Sequence, residues 1–360
     1  MRKIAILGGA GKIGRMLGCF LGRSGDYQVR IGDVRGDAAQ ATARRIGDAA
    51  TSYEVDFDRP ATLEPVLAGA EAVLSCCPFE SNPFIAEQAV EYDLHYLDLT
   101  EDIETTRKVL SFEGKSKKAL IPQCGLAPGF ITITAMDLIK GMDEVEGIKM
   151  RVGALPRHPS NMLKYNLTWS TEGLINEYAN PCEMIRDGKL ALAEPLEGLE
   201  TLFVDGVLYE AFNTSGGLGS LCHTLQGKVR SLNYKSIRYP GHNDYMRLLM
   251  KELRMAQHQG LLKEIFERAL PTTYQDKVVI YVSAIGRQGG SYVERTYART
   301  VYHQTIYDEN WSAIQITTAA GIAAVLDLLF EGKLPQRGFV RQEDVDYNAF
   351  VANRFGKYYA

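Results

Sequence analysis

The chain opens on a short apolar run, Ile4-Ala5-Ile6-Leu7, that passes through Gly8 into Gly9-Ala10-Gly11-Lys12-Ile13-Gly14. Few folds accept that order. A buried strand that ends in GxGxxG and feeds a helical pattern reads as the first βα turn of a dinucleotide-binding unit. In that reading Gly9 allows the tight turn and Gly11 lets the backbone approach a pyrophosphate. Gly14 brings the helix close to the strand, and the helix N-terminus, with Lys12 and Ile13, faces the anion. The next expected strand, 28–31, leads to Asp33, which lies 33 − 14 = 19 residues beyond the last glycine. That is about the ~20-residue spacing of the acid that binds an adenosine ribose. A glycine-rich turn in another kind of βα unit is the ordinary alternative. Strand, turn, helix and acid falling in order favour the dinucleotide.

Asp33 points to NAD, because a carboxylate accepts hydrogen bonds from the ribose 2′-hydroxyl and repels a 2′-phosphate. Val34 and Arg35 follow it, and Arg35 has two roles open to it: pairing with a phosphate or adenine, or standing as a solvated loop charge. Asp56 either bounds the adenine pocket or caps the turn before Pro60. Cys77 and Pro78, just beyond the fourth expected strand, complete the candidate cofactor contacts.

The first third of the chain alternates strands and helices. Strands are expected over 52–55, 72–76, 95–99 and 119–123, with helices over 37–46, 61–68, 84–92 and 103–114. This alternation predicts an α/β fold with a Rossmann-type, doubly wound parallel sheet. The pattern changes after Gly125-Leu126-Ala127-Pro128-Gly129. Strands are expected over 147–155, 164–169, 229–239 and 277–285, with a return strand over 292–306 and a helix over 245–258. Asp187-Gly188 and Asp205-Gly206 signal hairpins. The second part therefore reads as an α+β domain on a mostly antiparallel sheet. The expected division is 1–128 for nucleotide binding, 129–310 for substrate and dimerisation, and 311–360, with a helix near 313–330, returning to the first domain.

With 360 residues, 46% of them hydrophobic, the chain is long enough for two cores. A net charge of −4 without a basic stripe argues against nucleic acid. No apolar run is expected to reach the ~20 residues of a bilayer span. The six cysteines show neither CxxC spacing nor a zinc-like arrangement with histidine, so no metal is expected and reduced thiols in the cytoplasm are the simplest reading.

Cys124-Gly125-Leu126-Ala127-Pro128-Gly129-Phe130 resembles the GLxPG turn of the saccharopine dehydrogenase family. The likeness continues through Leu155-Pro156, Thr168-Trp169-Ser170-Thr171-Glu172-Gly173, Thr214-Ser215-Gly216-Gly217-Leu218, Ile237-Arg238-Tyr239-Pro240-Gly241-His242 and Gly338-Phe339-Val340. Between Trp169 and His242 the chain looks most like the lysine 6-dehydrogenases of that family. The resemblance implies a nicotinamide enzyme that oxidises a C–N bond of a lysine-type amino acid. It also implies a discontinuous Rossmann domain and a homodimer.

Such chemistry needs a base, since the amine must be neutral before hydride leaves. His242 is the preferred base or substrate contact, with a turn histidine as its alternative. Asp98 ends the fifth strand at the carboxyl edge of the sheet, where ligands bind in open α/β folds, and Cys124 ends the sixth. Glu101 and Asp102 read as an acidic first helical turn. The resemblance implies that the position of Glu172 holds a carboxylate-gripping arginine in saccharopine reductases. A glutamate there suits an ammonium, or else is a first-turn acid behind Ser170. Arg238 is the candidate clamp for the α-carboxylate. Tyr165, Trp169 and Ser215 are candidate pocket residues.

Overall fold

In the computed structural model, which describes residues 1–360, strand β1 (Arg2–Leu7) buries Ile4, Ala5, Ile6 and Leu7 completely. The chain then alternates through α1 (Lys12–Gly22), β2 (Tyr27–Asp33), α2 (Gly36–Ile46), β3 (Ala50–Glu54), α3 (Glu64–Leu67), β4 (Ala72–Ser75), α4 (Asn82–Glu91), β5 (His95–Leu97), α5 (Ile103–Leu110), β6 (Ala119–Ile121) and α6 (Phe130–Ile139). Two helices are shorter than the sequence predicts. Pro60 and Pro65 reduce 61–68 to a 3-10 turn over Pro60–Thr62 and the single turn of α3. Helix α5 stops at Leu110, and Gly114 sits in a separate 3-10 turn, Glu113–Lys115.

The middle of the chain holds β7 (Glu144–Pro156), α7 (Thr171–Ala179), β8 (Cys182–Arg186), β9 (Lys189–Ala193), β10 (Glu200–Val204), β11 (Val207–Asn213), α8 (Leu221–Leu225), β12 (Val229–Arg238), α9 (His242–Arg247), α10 (Gln259–Ala269), β13 (Asp276–Gln288), β14 (Ser291–Tyr302), β15 (Gln304–Ile306) and β16 (Glu309–Trp311). Asp187-Gly188 joins β8 to β9 and Asp205-Gly206 joins β10 to β11, each aspartate and glycine taking the positive φ of a tight hairpin. The large sheet runs β10-β11-β12-β7-β13-β14, antiparallel except where β12 lies parallel to β7. It coils, because Thr300 Oγ1 on β14 donates to Asp205 Oδ2 at the β10–β11 turn (2.6 Å).

The strand expected at 164–169 does not form. Lys164 takes a left-handed φ of 51°, Tyr165 through Thr168 are buried in succession rather than alternately, and a lone bridge joins Leu167 to Thr272. The helix expected at 245–258 starts earlier, at His242. It passes through a π-turn (Leu248–Glu252) and breaks where Arg254 adopts φ 55°.

The chain closes with α11 (Ala313–Phe330), β17 (Gly338–Phe339) and α12 (Tyr347–Ala352). The molecule comprises two compact units, Met1–Phe130 with Thr317–Ala360, and Ile131–Ile316. The first unit carries a seven-stranded, wholly parallel sheet in the order β17-β6-β5-β4-β1-β2-β3. Contrary to the sequence reading, one apolar run is long enough to cross a bilayer by composition: the 18 residues of α11, with mean hydropathy 1.8. They are 83% buried inside the protein, as in a core helix. Asp327 on α11 accepts from Tyr27, Asn353 and Arg354, fastening this helix and the C-terminal tail to β2.

Candidate functional site

The glycine turn is built by steric exclusion. Gly8, with φ +72°, leaves no space for a side chain, since a Cβ there would meet the Cys76 carbonyl oxygen at 2.7 Å. At Gly14 a Cβ would sit 2.4 Å from the Gly8 oxygen, so α1 starts directly against the turn. Gly9 and Gly11 line the same bend, and Lys12 and Ile13 open the helix. Asp33, at the end of β2, lies across it and accepts the Ala10 N–H (3.0 Å) and the Arg35 N–H (3.1 Å). Exposed Arg35 places Nε 3.5 Å from the same carboxylate, and Val34 beside it is exposed. Cys77 flanks the turn from the end of β4, with burial pushing its thiol up to about 12, and Pro78 starts the next 3-10 turn. These residues leave a bare backbone cradle at a helix N-terminus, which fits a dinucleotide pyrophosphate. Asp56 takes its second reading: it accepts from Asp58 N–H and Arg59 and closes the turn before Pro60.

The two unit-one residues proposed for catalysis have structural occupations. Asp98 is fully buried and accepts from Thr100 N–H (3.0 Å), Gln123 N–H (2.8 Å) and the Tyr96 hydroxyl (2.7 Å), which splices the ends of β5 and β6. Cys124 is equally buried. Its thiol is raised first by desolvation, then by Asp98, and it rests on Ile121 O and Gln342. Neither presents a free proton acceptor. The acid that does is Glu101. Asp102 is the N-cap of α5, accepting from Thr105 N–H (2.7 Å), so Glu101 lies outside the helix. Half-buried Glu101 is raised to about 7 by burial and by the neighbouring Asp102, Asp98 and Glu80 carboxylates. This corrects the reading of Glu101 and Asp102 as an acidic first helical turn: Asp102 caps α5 and Glu101 precedes it, and the sequence gives no sign of the carboxylate crowding.

In the second unit, Arg238 at the end of β12 is 3% exposed. Its Nε donates to the Tyr178 hydroxyl (2.8 Å) and its Nη1 to the Ile237 carbonyl (2.8 Å), and the guanidinium lies over the Tyr165 and Tyr178 rings at 5.2 and 5.7 Å. It makes no ion pair. Burial works against its charge, but Tyr178, Tyr165, Glu177 and Tyr234 outweigh that and hold it protonated. His242 stands behind it. Nδ1 donates to Leu163 O (2.7 Å), and Nε2 therefore accepts from the Tyr178 hydroxyl (3.1 Å). Burial, then Arg238, lower it to about 3. This corrects the reading of His242 as a base: both nitrogens are committed and the ring stays neutral. It orients Tyr178, which orients Arg238. Glu210, opposite Arg238 on β11, accepts the Gly241 and Asn243 N–H groups (2.8 and 2.6 Å) and so shapes the turn that carries His242. Nothing in the sequence linked Glu210 to that turn.

Glu172 takes its first-turn reading. Ser170 caps α7 by accepting Gly173 N–H (3.1 Å), and Glu172 lies half exposed in its first turn, paired with Lys263 at 2.5 Å. Tyr165 belongs to the Arg238 enclosure, whereas Trp169 packs partly buried on the cluster of Leu174, Tyr178 and Phe266. Ser215 donates its hydroxyl to Asn176 O (3.4 Å) and its N–H to Glu177 O (3.0 Å), which fixes the loop beside α7.

A glycine-turn parallel sheet completed by the C-terminal residues, together with an α+β unit on a coiled sheet, defines a two-unit dinucleotide-binding architecture. The chain belongs to the saccharopine dehydrogenase family. Residues 4–123 match that family's NADP binding domain and residues 125–357 its C-terminal domain. It is 26% identical over 199 residues to the saccharopine dehydrogenase [NADP(+), L-glutamate-forming] of Saccharomyces cerevisiae, covering 53% of this chain and 44% of that protein. It is 22% identical over 195 residues to the mitochondrial alpha-aminoadipic semialdehyde synthase of Mus musculus, covering 52% of this chain and 21% of that one. The match thus spans less than half the length of either relative. Apo saccharopine dehydrogenase (L-Glu forming) from Saccharomyces cerevisiae shares the fold with a TM-score of 0.79 at 16% identity, covering 97% of this chain and 95% of the other. A homospermidine synthase from Legionella pneumophila, solved in complex with NAD, gives 0.69 at 16% identity over 99% and 89%.

Proposed function

We propose that the chain is a nicotinamide-dependent oxidoreductase acting on the CH–NH or CH–NH₂ group of a lysine-type amino acid, with NAD as the preferred cofactor, working as a cytoplasmic homodimer. The observation that carries this reading is Arg238, a buried, permanently charged fork that makes no ion pair, with the Glu177 carboxylate acting on it only through space. Such a group is unfavourable in a protein interior unless a ligand completes it, and a carboxylate matches its two-donor geometry. Tyr178 and His242 hold the guanidinium plane in place before the ligand arrives, which reduces what binding must order.

A dinucleotide held on the cradle of Gly8, Gly9, Gly11 and Gly14 supplies the hydride acceptor. Asp33 supports NAD, since its carboxylate disfavours a 2′-phosphate at that position. Glu101, ionising near neutrality, has the basicity that the proton step needs, since the amine nitrogen must lose a proton before its lone pair can assist loss of hydride. Carbon loses a hydride, nitrogen a proton, and water hydrolyses the resulting imine.

A second reading is glutamate-forming oxidation of saccharopine. The yeast relative supports it, and so does Glu172, whose pairing with Lys263 removes the charge argument against a second carboxylate arm. Reductive condensation of an amine with an aldehyde runs the same bond change backwards. The test is absorbance of reduced nicotinamide after mixing purified protein with NAD or NADP and lysine, ornithine or saccharopine in turn. Reduction of NAD with lysine is expected, and reduction with saccharopine alone selects the second reading. Cofactor binding without turnover of any amine or opine overturns the proposal in favour of a non-catalytic NAD sensor.

A further inference from the structure

One face of the coiled sheet carries three buried or nearly buried cations. Arg151 and Lys235 share one acid: Arg151 Nε and Lys235 Nζ lie 2.5 and 2.6 Å from the Glu200 carboxylate. The third, Lys277, is 7% exposed and makes no ion pair. Its Nζ has a single hydrogen bond, to the Tyr209 hydroxyl at 2.6 Å, and lies 5.0 and 5.3 Å from the Tyr209 and Tyr239 ring centres. An ammonium has three donors, so two remain for a further acceptor. The two ring faces offset part of its charge but accept no second strong hydrogen bond.

The strand register brings a second cation to the same place. Lys277 stands opposite Tyr302 on β14 and opposite Leu155 on β7. Arg157, two residues beyond Leu155 and on the same side of the chain by alternation, is exposed and lies 5.5 Å above the Tyr302 ring. The Tyr239 hydroxyl donates to Pro156 O (2.9 Å), which fixes that wall. Asp205, whose charge acts on Lys277, is exposed and already accepts from Thr300.

We propose that Lys277, Arg157 and the surrounding Tyr209, Tyr239 and Tyr302 form a binding site for a small oxyanion, a carboxylate or a phosphate ester, separate from the Arg238 enclosure. The two cations supply charge and donors, Lys277 from the floor and Arg157 from the rim. The tyrosine rings supply an apolar wall for the body of the ligand. The site stands apart from the reading of Arg238, because Tyr209 and Tyr239 alternate to the opposite side of the sheet from Glu210 and Arg238, and both cations come from β13 and the end of β7.

The test is isothermal titration of the full-length protein with inorganic phosphate and, separately, with succinate, against chloride at matched ionic strength. Besides any binding at Arg238 or the glycine turn, one saturable event is expected that persists in Arg238→Met, is abolished in Lys277→Met and is weakened about tenfold in Arg157→Met, the loss of one charge contact. Arg157 is exposed, so its variant remains informative if Lys277→Met does not fold. Phosphate binding without succinate identifies a phosphate-bearing ligand, and the converse a carboxylate. The proposal is overturned if neither anion binds saturably, if chloride reproduces the heat, or if binding persists undiminished in Arg157→Met.

Discussion

Replacing Arg238 by Met separates two consequences that usually travel together. A buried charge-assisted contact to a carboxylate is worth about 2–5 kcal/mol when one partner is truncated. At about 1.4 kcal/mol per factor of ten, kcat/KM for an α-carboxylate substrate falls roughly 30- to 4000-fold. Stability behaves differently. Arg238 makes no ion pair, so its removal breaks no salt bridge and relieves the desolvation of a buried cation, at the cost of the through-space attraction to the buried Glu177 carboxylate. The Tyr178 hydroxyl keeps its bond to His242 Nε2. Met fills much of the vacated volume, so the melting temperature of Arg238→Met stays level or rises while activity collapses, as at sites that trade stability for function. Arg238→Lys restores charge but not the planar fork, and recovers only part of the activity. Steady-state kinetics with thermal unfolding on the same preparations decide the matter. Near-normal kcat/KM in Arg238→Met, or a fall in melting temperature comparable to loss of a buried ion pair, refutes the reasoning.

Because Glu101 is raised to about 7, its carboxylate is available above that pH and protonates below it. The log kcat/KM profile then has an acid limb near pH 7, which disappears in Glu101→Gln along with most of the rate. Glu172→Ala, losing a half-exposed pair with Lys263, should leave kinetics unchanged and cost no more than about 1 kcal/mol in denaturant unfolding. Asp327→Ala strands Tyr27, Asn353 and Arg354 and should cost about 3 kcal/mol. Against its burial, hydrogen bonds from Arg354, Tyr27 and Asn353 hold Asp327 below its ordinary value of 3.8. Its contribution is therefore complete above about pH 4 and lost as pH falls further, so wild type and variant converge in acid, a result that urea titrations across pH will check.

Of the seven strands of the parallel sheet, β17, only two residues long, carries no local signature and was not legible; the other six were, because each carries a local apolar run within an alternating strand and helix pattern. The two Asp-Gly hairpins were legible for the same reason. What failed was whatever depends on distant neighbours. Glu172 faces solvent because Ser170 starts α7, an alternative visible in the sequence but not decidable there. His242 looks like a base in any sequence; only the placement of Tyr178 and Leu163, 64 and 79 residues away along the chain, commits both its nitrogens. Glu101 is shifted first by burial and then by the carboxylates of Asp102, Asp98 and Glu80 gathered around it. Residues 164–169 alternate well enough for a strand, but the left-handed backbone at Lys164 and unbroken burial made them a packed segment instead. Arg238 was legible as a carboxylate clamp candidate, while the tyrosines and histidine that support it were not legible as a set.

The strand β17 is two residues long and pairs with β6, some 220 residues earlier in the chain. During synthesis the first 130 residues emerge while the residues that cover β6 and fasten β2 through Asp327 have yet to be made. The nucleotide unit must wait for them with an open edge, whereas the strands within residues 131–316 pair only with one another and can close first. Translation and maturation therefore run in opposite order here: the segment made first finishes late. An open, wholly parallel edge is also a template for mispairing. Nascent chains halted between residues 316 and 338 should accordingly be those most dependent on chaperones, and premature termination there should yield aggregates rather than a functional nucleotide-binding fragment.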